Sequence, residues 1–260
     1  MAVTNFIQQI WSKKIQDDLE LKCKLVDNCL RDYEGDCKYA QSVKILGVGE
    51  PTIGAYDGTK DITIEDMSDR SQILTIDQAN YFAFYVDDVD QAQSVPGLAE
   101  KYQEKAVHGL AVARDTYVAN LIAGATNKTT VTMTEEGFKK GIDDAIVALR
   151  ERNFDEEGVI EITPAAYNLF KNHLITLSTN NPELIRKGVV GVYDQFDVIM
   201  SNNLKTPGCV RGKKAIAFAG QINEVEALRA EKRFKDIIRG LDTFGAKVID
   251  EARIQVLATA

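Results

Sequence analysis

The stretch YFAFYVDDVDQAQS, residues 81–94, carries the reading of the fold. Taken in steps of two, Tyr81, Ala83 and Tyr85 fall on one side of a strand and Phe82, Phe84 and Val86 on the other. Both sides are apolar, and three of the next four residues are the aspartates Asp87, Asp88 and Asp90. A hairpin strand in water keeps one face polar. This one needs cover on both.

Upstream, SVKILGVG (42–49) alternates Val43 and Ile45 against Lys44, as a strand does. A segment rich in turn-formers follows, and QILTI and YFAFYV then return, which predicts two long antiparallel strands with a loose tip over 42–86. Such an arm is marginal alone in water, because two strands cannot bury their own apolar residues. Nearer the start, Ile7, Trp11, Ile15 and Leu19 stand four apart and predict a short amphipathic helix that docks on the body.

Downstream, Ser94 and Pro96 suit the first turn of a helix. Leu98, Tyr102, Ala106, Leu110, Ala113, Tyr117 and Leu121 form its apolar stripe, which ends at Gly124. Roughly 28 residues at ~1.5 Å each give a rod of about 40 Å, a spine for the rest. A second helix is predicted over 134–152 with Phe138, Ile142, Ile146 and Leu149 inward; VIEIT (159–163) reads as a strand, and Pro164 opens a third helix. Phe196, Val198 and Met200 alternate along a further strand, and the C-terminal third reads as mostly short strands. Helices and strands mix without a βαβ period, so the fold class is α+β.

The bulk numbers agree with a sizeable core: 260 residues, 45% hydrophobic and 27% charged. A formal charge of −8 argues against a general nucleic-acid binder, though not against a protein that encloses nucleic acid. Cys23, Cys29, Cys37 and Cys209 lack CxxC spacing, which predicts folding in a reducing, intracellular setting. No apolar run reaches the ~20 residues that cross a bilayer, and the first residues lack the layout of a signal peptide. No membrane partner is expected.

Catalytic chemistry is not expected either. GVGEPTIG (47–54) has its third glycine two places late and Pro51 inside it, so it reads as a turn and not a dinucleotide loop. GCVRGKKA (208–215) lacks the first glycine and the hydroxyl residue of a P-loop. His108 and His173 are flanked by core-type residues and read as structural. Asp87, Asp88 and Asp90 lack the glycine and glutamate of a calcium loop. The expectation is no catalytic residue, no metal site and no cofactor.

Charge is segregated instead. Residues 57–90 carry nine acids against two bases, whereas residues 211–239 carry eight bases against four acids. Two solvated faces would explain this, and so would the acidic arm of one subunit lying on the basic segment of another. Under the second reading, charge reversal at Lys232 and Arg233 weakens self-association. The two-faced strand then has an answer: one face packs on its own spine helix and a neighbouring copy covers the other. Such a strand left bare would invite aggregation. Trp11, Tyr56, Phe82, Phe84, Lys232 and Arg233 are the expected subunit-contact residues.

NFIQQIW near the start, RDYEGD (31–36), the SVKI…GEPTI…Y region and LTIDQANYFAFYVDDVDQAQS resemble the major capsid proteins of tailed bacteriophages, with their Hong Kong 97-type fold. GVYDQFDVIMSNNL (191–204) and the ending KAIAFAGQINEVEALRAEKRFKDIIRGLDTFGAKVI extend the resemblance over nearly the whole chain. It implies an N-terminal arm at 1–32, an extended loop at 33–87, a peripheral domain with the spine helix at 88–130, an axial domain at 131–210 and peripheral-domain strands at 211–260. Some members carry a scaffolding segment ahead of the arm. Here the arm motif stands at the start, which leaves a separate scaffold, an arm that suffices, or prior processing.

What the resemblance implies for function is a non-enzymatic wall: pentamers and hexamers of one chain, assembled in a bacterial host cytoplasm into an icosahedral virion capsid. Packaged double-stranded DNA is enclosed and not specifically bound. Scaffolding, portal and decoration proteins are admissible partners. Two rivals are the shell of an encapsulin-type nanocompartment, told apart by its protein cargo, and a soluble nucleotide-binding enzyme using residues 47–54.

Overall fold

The computed structural model describes residues 23–33, 42–48, 69–87, 98–176, 191–229 and 235–259. Trp11, Tyr56, Lys232 and Arg233, the helix expected at 4–20, Ser94 with its cap, Cys37 and the Gly-rich turn beyond Val48 lie outside the described residues.

The long helix α1 runs Leu98–Ala123, and the Gly124 N–H closes it on the carbonyls of Asn120 (3.1 Å) and Leu121 (3.2 Å). The buried stripe shares Leu110 with the one that apolar spacing predicts, and Tyr117 and Leu121 pack on its edge, but it is rolled away from the rest. It passes through Val107, Leu110, Ala111, Arg114, Asp115, Val118, Ala119 and Ile122, while Tyr102 is exposed and Tyr117 half-buried. Two charged residues sit inside it because each has a buried partner, and that turns the helix about its axis.

Helix α2 (Glu135–Arg150) follows its expectation closely. Thr134 caps it, its hydroxyl accepting the Gly137 N–H at 3.1 Å, with Glu135 and Glu136 in the first turn and Arg150 in the last. Phe138, Ile142, Ile146 and Leu149 are buried. Helix α3 spans Pro164–Thr176 and packs beside α2.

The strands form three sheets. A six-stranded sheet has the order β4–β11–β8–β5–β7–β6, from β4 (Lys128–Val131), β5 (Gly158–Ile162), β6 (Val192–Tyr193), β7 (Phe196–Met200), β8 (Gly208–Gly212) and β11 (Ile254–Thr259). Strands β5 and β7 run parallel with α3 between them, one βαβ crossover within an otherwise mixed α+β fold. Ile160, Ile162, Val210 and Leu257 face α2 and α3; Cys209, Ile254 and Val256 join the core on the other side, with α1. The middle strands β5 and β8 are therefore buried along their whole length. Strand β11 returns from the end of the chain to the sheet that holds β5 and β7, across the expected boundary near residue 210.

The second sheet has the order β3–β10–β9, from β3 (Gln78–Asp87), β10 (Lys235–Val248) and β9 (Ile216–Arg229). The segments that read as short strands are two continuous strands of 14 residues each, with an irregularity between Leu241 and Asp242. Glycines and charges suggest breaks between them, but here they sit on a paired ladder that a bulge carries through. The third sheet is the hairpin of β1 (Ser42–Val48) and β2 (Asp69–Thr75). The returning arm therefore splits near Ile76: β2 pairs with β1, while β3 leaves for β10.

Candidate assembly surface

Strand β3 supplies an inner and an outer face to its sheet. Phe82 and Phe84 point inward and pack on the core cluster around α1, the Phe84 ring 5.8 Å from that of Tyr102 and 6.3 Å from that of Phe82. These two expected contact residues hold the subunit together. The other face carries Tyr81 and Tyr85, 80% and 63% exposed. It was the neighbours of Phe82 and Phe84 in sequence, read in the alternate register, that the structure leaves bare.

Register extends this bare face across all three strands. Tyr81 stands opposite Leu241, Ala83 opposite Arg239, and Tyr85 opposite Ile237; on the far side Arg239 pairs with Glu226 and Ile237 with Leu228. Leu241 and Leu228 are 41% and 42% exposed. In the middle Arg239 donates from Nε to Glu226 at 2.7 Å, which pairs these two charges within the subunit. Tyr81, Ala83, Glu226, Arg239 and Leu241 line a cleft of about 490 Å³ on this surface. Large apolar side chains clustered on one sheet face mark an interaction surface in a soluble protein.

Four described bases of the basic segment are occupied within the subunit. Arg211 pairs with Glu161, Lys213 lies 3.3 Å from Glu157 and 3.1 Å from Asp197, Lys214 is 3.7 Å from Glu156, and Arg239 holds Glu226. Residues 208–212, the first five of the rejected phosphate-loop candidate, are the buried strand β8. His108 is exposed on α1 and lines a polar cleft with Lys24, Asp115 and Asn203, so it is not a core histidine. Among the described residues no group of three or more His, Cys, Asp or Glu side chains has metal-binding geometry. None of the described helices is long and apolar enough to cross a membrane.

Behind the surface lies a set of buried charges that fixes how the elements meet. Arg211 donates to Glu161 from Nε (3.1 Å) and Nη2 (2.6 Å), and to the carbonyls of Asn28 (2.7 Å) and Leu25 (3.0 Å). Asp115 accepts the N–H groups of Lys24 (3.0 Å), Leu25 (3.1 Å) and Val26 (3.2 Å). The turn at 24–28 is thus held by its carbonyls from β8 and by its amides from α1. Arg114 clamps α1 to β10 through both oxygens of Asp242. Burial pushes the carboxyls of Asp115, Asp242 and Glu161 above their usual range, against the pull of the donors that face them. Burial opposes the Arg211 charge most strongly, but Glu161 and the two nearby cysteines, Cys29 and Cys209, together outweigh it and hold the guanidinium protonated.

Burial likewise raises the thiols of Cys23 to about 12 and Cys29 to about 11, which leaves them unreactive at neutral pH. Sequence reading missed Arg114, Asp115, Glu161, Arg211 and Asp242. The usable signal was a charge interrupting an apolar strand, as in VIEIT and GCVRG.

No family model matches this chain, and no curated protein matches it. Solved structures do. A structure titled Mycobacterium phage Che8 superposes with a TM-score of 0.77 over 90% of each chain at 24% identity. The capsid structure of the cyanophage P-SCSP1u gives 0.72 at 16% identity, over 89% of this chain and 86% of that one. The virus-like particle from Pyrococcus furiosus gives 0.61 at 13% identity, over 96% and 99%. The chain has the Hong Kong 97-type capsid fold.

Proposed function

We propose that this chain is the repeating wall subunit of a phage head, a major capsid protein that encloses DNA without an enzymatic step. The bare apolar face of the β3–β10–β9 sheet, on a fold shared over nine-tenths of the chain with phage structures, carries this reading. In a shell each subunit touches several neighbours, so contacts that are weak one at a time sum to a stable wall. The net acidity suits a wall that confines DNA without gripping it.

In this scheme residues 1–32 are the arm and 33–75, which include β1 and β2, the extended loop, shorter than the 33–87 that the resemblance implies because β3 pairs with β10. The α1 and β3–β10–β9 layer is the peripheral part, and the six-stranded sheet with α2 and α3 the axial part. Trp11, Tyr56, Lys232 and Arg233 remain proposed contacts. Tyr81 and Tyr85 take over the role first given to Phe82 and Phe84. Pentamers and hexamers would form in the host cytoplasm, with scaffolding, portal and decoration proteins as further partners.

The likeness to the Pyrococcus virus-like particle along almost the full length of both chains supports a second, weaker reading, the shell of an encapsulin-type nanocompartment. Negative-stain microscopy with sedimentation of the purified protein tests both. Closed shells are expected, and a monodisperse monomer at high concentration would falsify the proposal. Particles from the native host that hold a protein cargo and no nucleic acid would favour the compartment.

A further inference from the structure

The outer face of the β3–β10–β9 sheet is divided in two. Its bare half ends at Leu241; beyond Thr243 the base of the β1–β2 hairpin lies on it, with Val43, Ile45 and Leu74 buried on Ala217 and Ala219. At the centre of this seat is Gly245, opposite Ala219 on the ladder. A Cβ at Gly245 would overlap the carbonyl oxygen of Thr75 and stand 3.0 Å from the Cα of Ile76. The corner between β2 and β3 therefore crosses β10 in direct backbone contact, at the one residue type that leaves room. Three hydrogen bonds hold the same corner: Lys247 Nζ to the Ile73 carbonyl (2.9 Å), Gln72 Nε2 to the Ile249 carbonyl (2.9 Å), and the Tyr117 hydroxyl to Asp77 (3.3 Å).

From this geometry we infer that Gly245 is the fulcrum that sets the angle at which the hairpin leaves the body, and through that angle the curvature of the shell. The inference rests on the assembly reading above. A backbone corner pressed on a rigid ladder cannot sink, so every subunit hinges its hairpin at the same height on β10, and the inclinations that pentamers and hexamers need are rotations about that point. Side-chain growth at Gly245 lifts the corner, and the far end of a lever moves more than its base. Tyr117, Gln72 and Lys247 then act as stays and Gly245 as the pivot.

Two variants test this from opposite directions. Gly245→Ala raises the pivot; Gln72→Leu with Lys247→Met keeps the pivot and cuts two stays. Each is measured as the unassembled subunit by amide exchange over residues 42–48 and 69–75, and after assembly by particle diameter in the microscope. The expected results are exchange about tenfold faster in the hairpin than in wild type, with α2 unchanged, and a shifted diameter for Gly245→Ala or a broadened one for the double variant. Wild-type diameter and exchange in both variants overturn the inference. Should Gly245→Ala not fold, the double variant decides alone. Should wild type form no shells, the assembly reading fails, while the exchange data still say whether Gly245 and its stays fix the hairpin.

Discussion

Replacing Tyr81 and Tyr85 by serine tests the bare face directly, because both side chains project from a sheet whose packing lies on the other side. A tyrosine buries about 200 Å² when fully covered, so exposures of 80% and 63% leave about 160 and 125 Å² for a neighbour to cover. At about 25 cal/mol per Å² that is an upper bound of about 4 and 3 kcal/mol. The hydroxyl stays solvated and ordering the contact costs entropy, which brings each site to about 1.5–2 kcal/mol. Each substitution should therefore raise the concentration at which shells appear by about ten- to thirtyfold. Stability of the isolated subunit should move by no more than about 0.5 kcal/mol, as for other surface changes. Light scattering against protein concentration reads the first quantity, and urea unfolding the second. If Tyr81→Ser with Tyr85→Ser assembles at the wild-type concentration, this face is not the adhesive.

Phe84→Asp, in contrast, strikes the inner face: removing the ring that packs on Tyr102 should cost about 2–4 kcal/mol and lower the melting temperature of the unassembled subunit. A variant that melts like wild type yet fails to assemble would return Phe84 to the contact surface. Arg211→Met leaves Glu161 buried and unpaired, a loss of about 3–5 kcal/mol read as a urea midpoint lower by about 1–1.5 M. Adding Glu161→Met should restore most of that but not the part owed to the orphaned Leu25 and Asn28 carbonyls; no recovery would mean the pair is not the cause. Alkaline stability should follow the thiols. Cys23 and Cys29 are raised in the fold from 9.0 to about 12 and about 11, so the native state holds protons that the unfolded chain has lost. Their contribution is complete below pH 9.0 and drains away as pH climbs towards 11–12. The urea midpoint should fall over that window, and Cys23→Ala with Cys29→Ala should flatten the fall.

The sequence alone was enough for whatever depends on near neighbours. Helix α2 was legible in the four large apolar residues it buries, because the glutamates at its start and the apolar spacing act within a few turns, although its cap at Thr134 was not read. The two apolar faces of residues 81–86 were legible too, since side-chain direction along a strand alternates wherever the strand lies. Tertiary structure decided which face of that strand was free. Only the placement of α1 against Phe82 and Phe84 leaves Tyr81 and Tyr85 outside. It also decided the partner of β3, the unity of β9 and β10, and the roll of α1 onto Arg114 and Asp115. The partner of β3 and the roll of α1 depend on groups some ninety or more positions apart, such as Asp115 with Leu25 or Arg114 with Asp242. A charge reads as a water-seeking residue until its partner arrives from elsewhere in the chain. Burial then becomes tolerable for both at once, and no local pattern announces it.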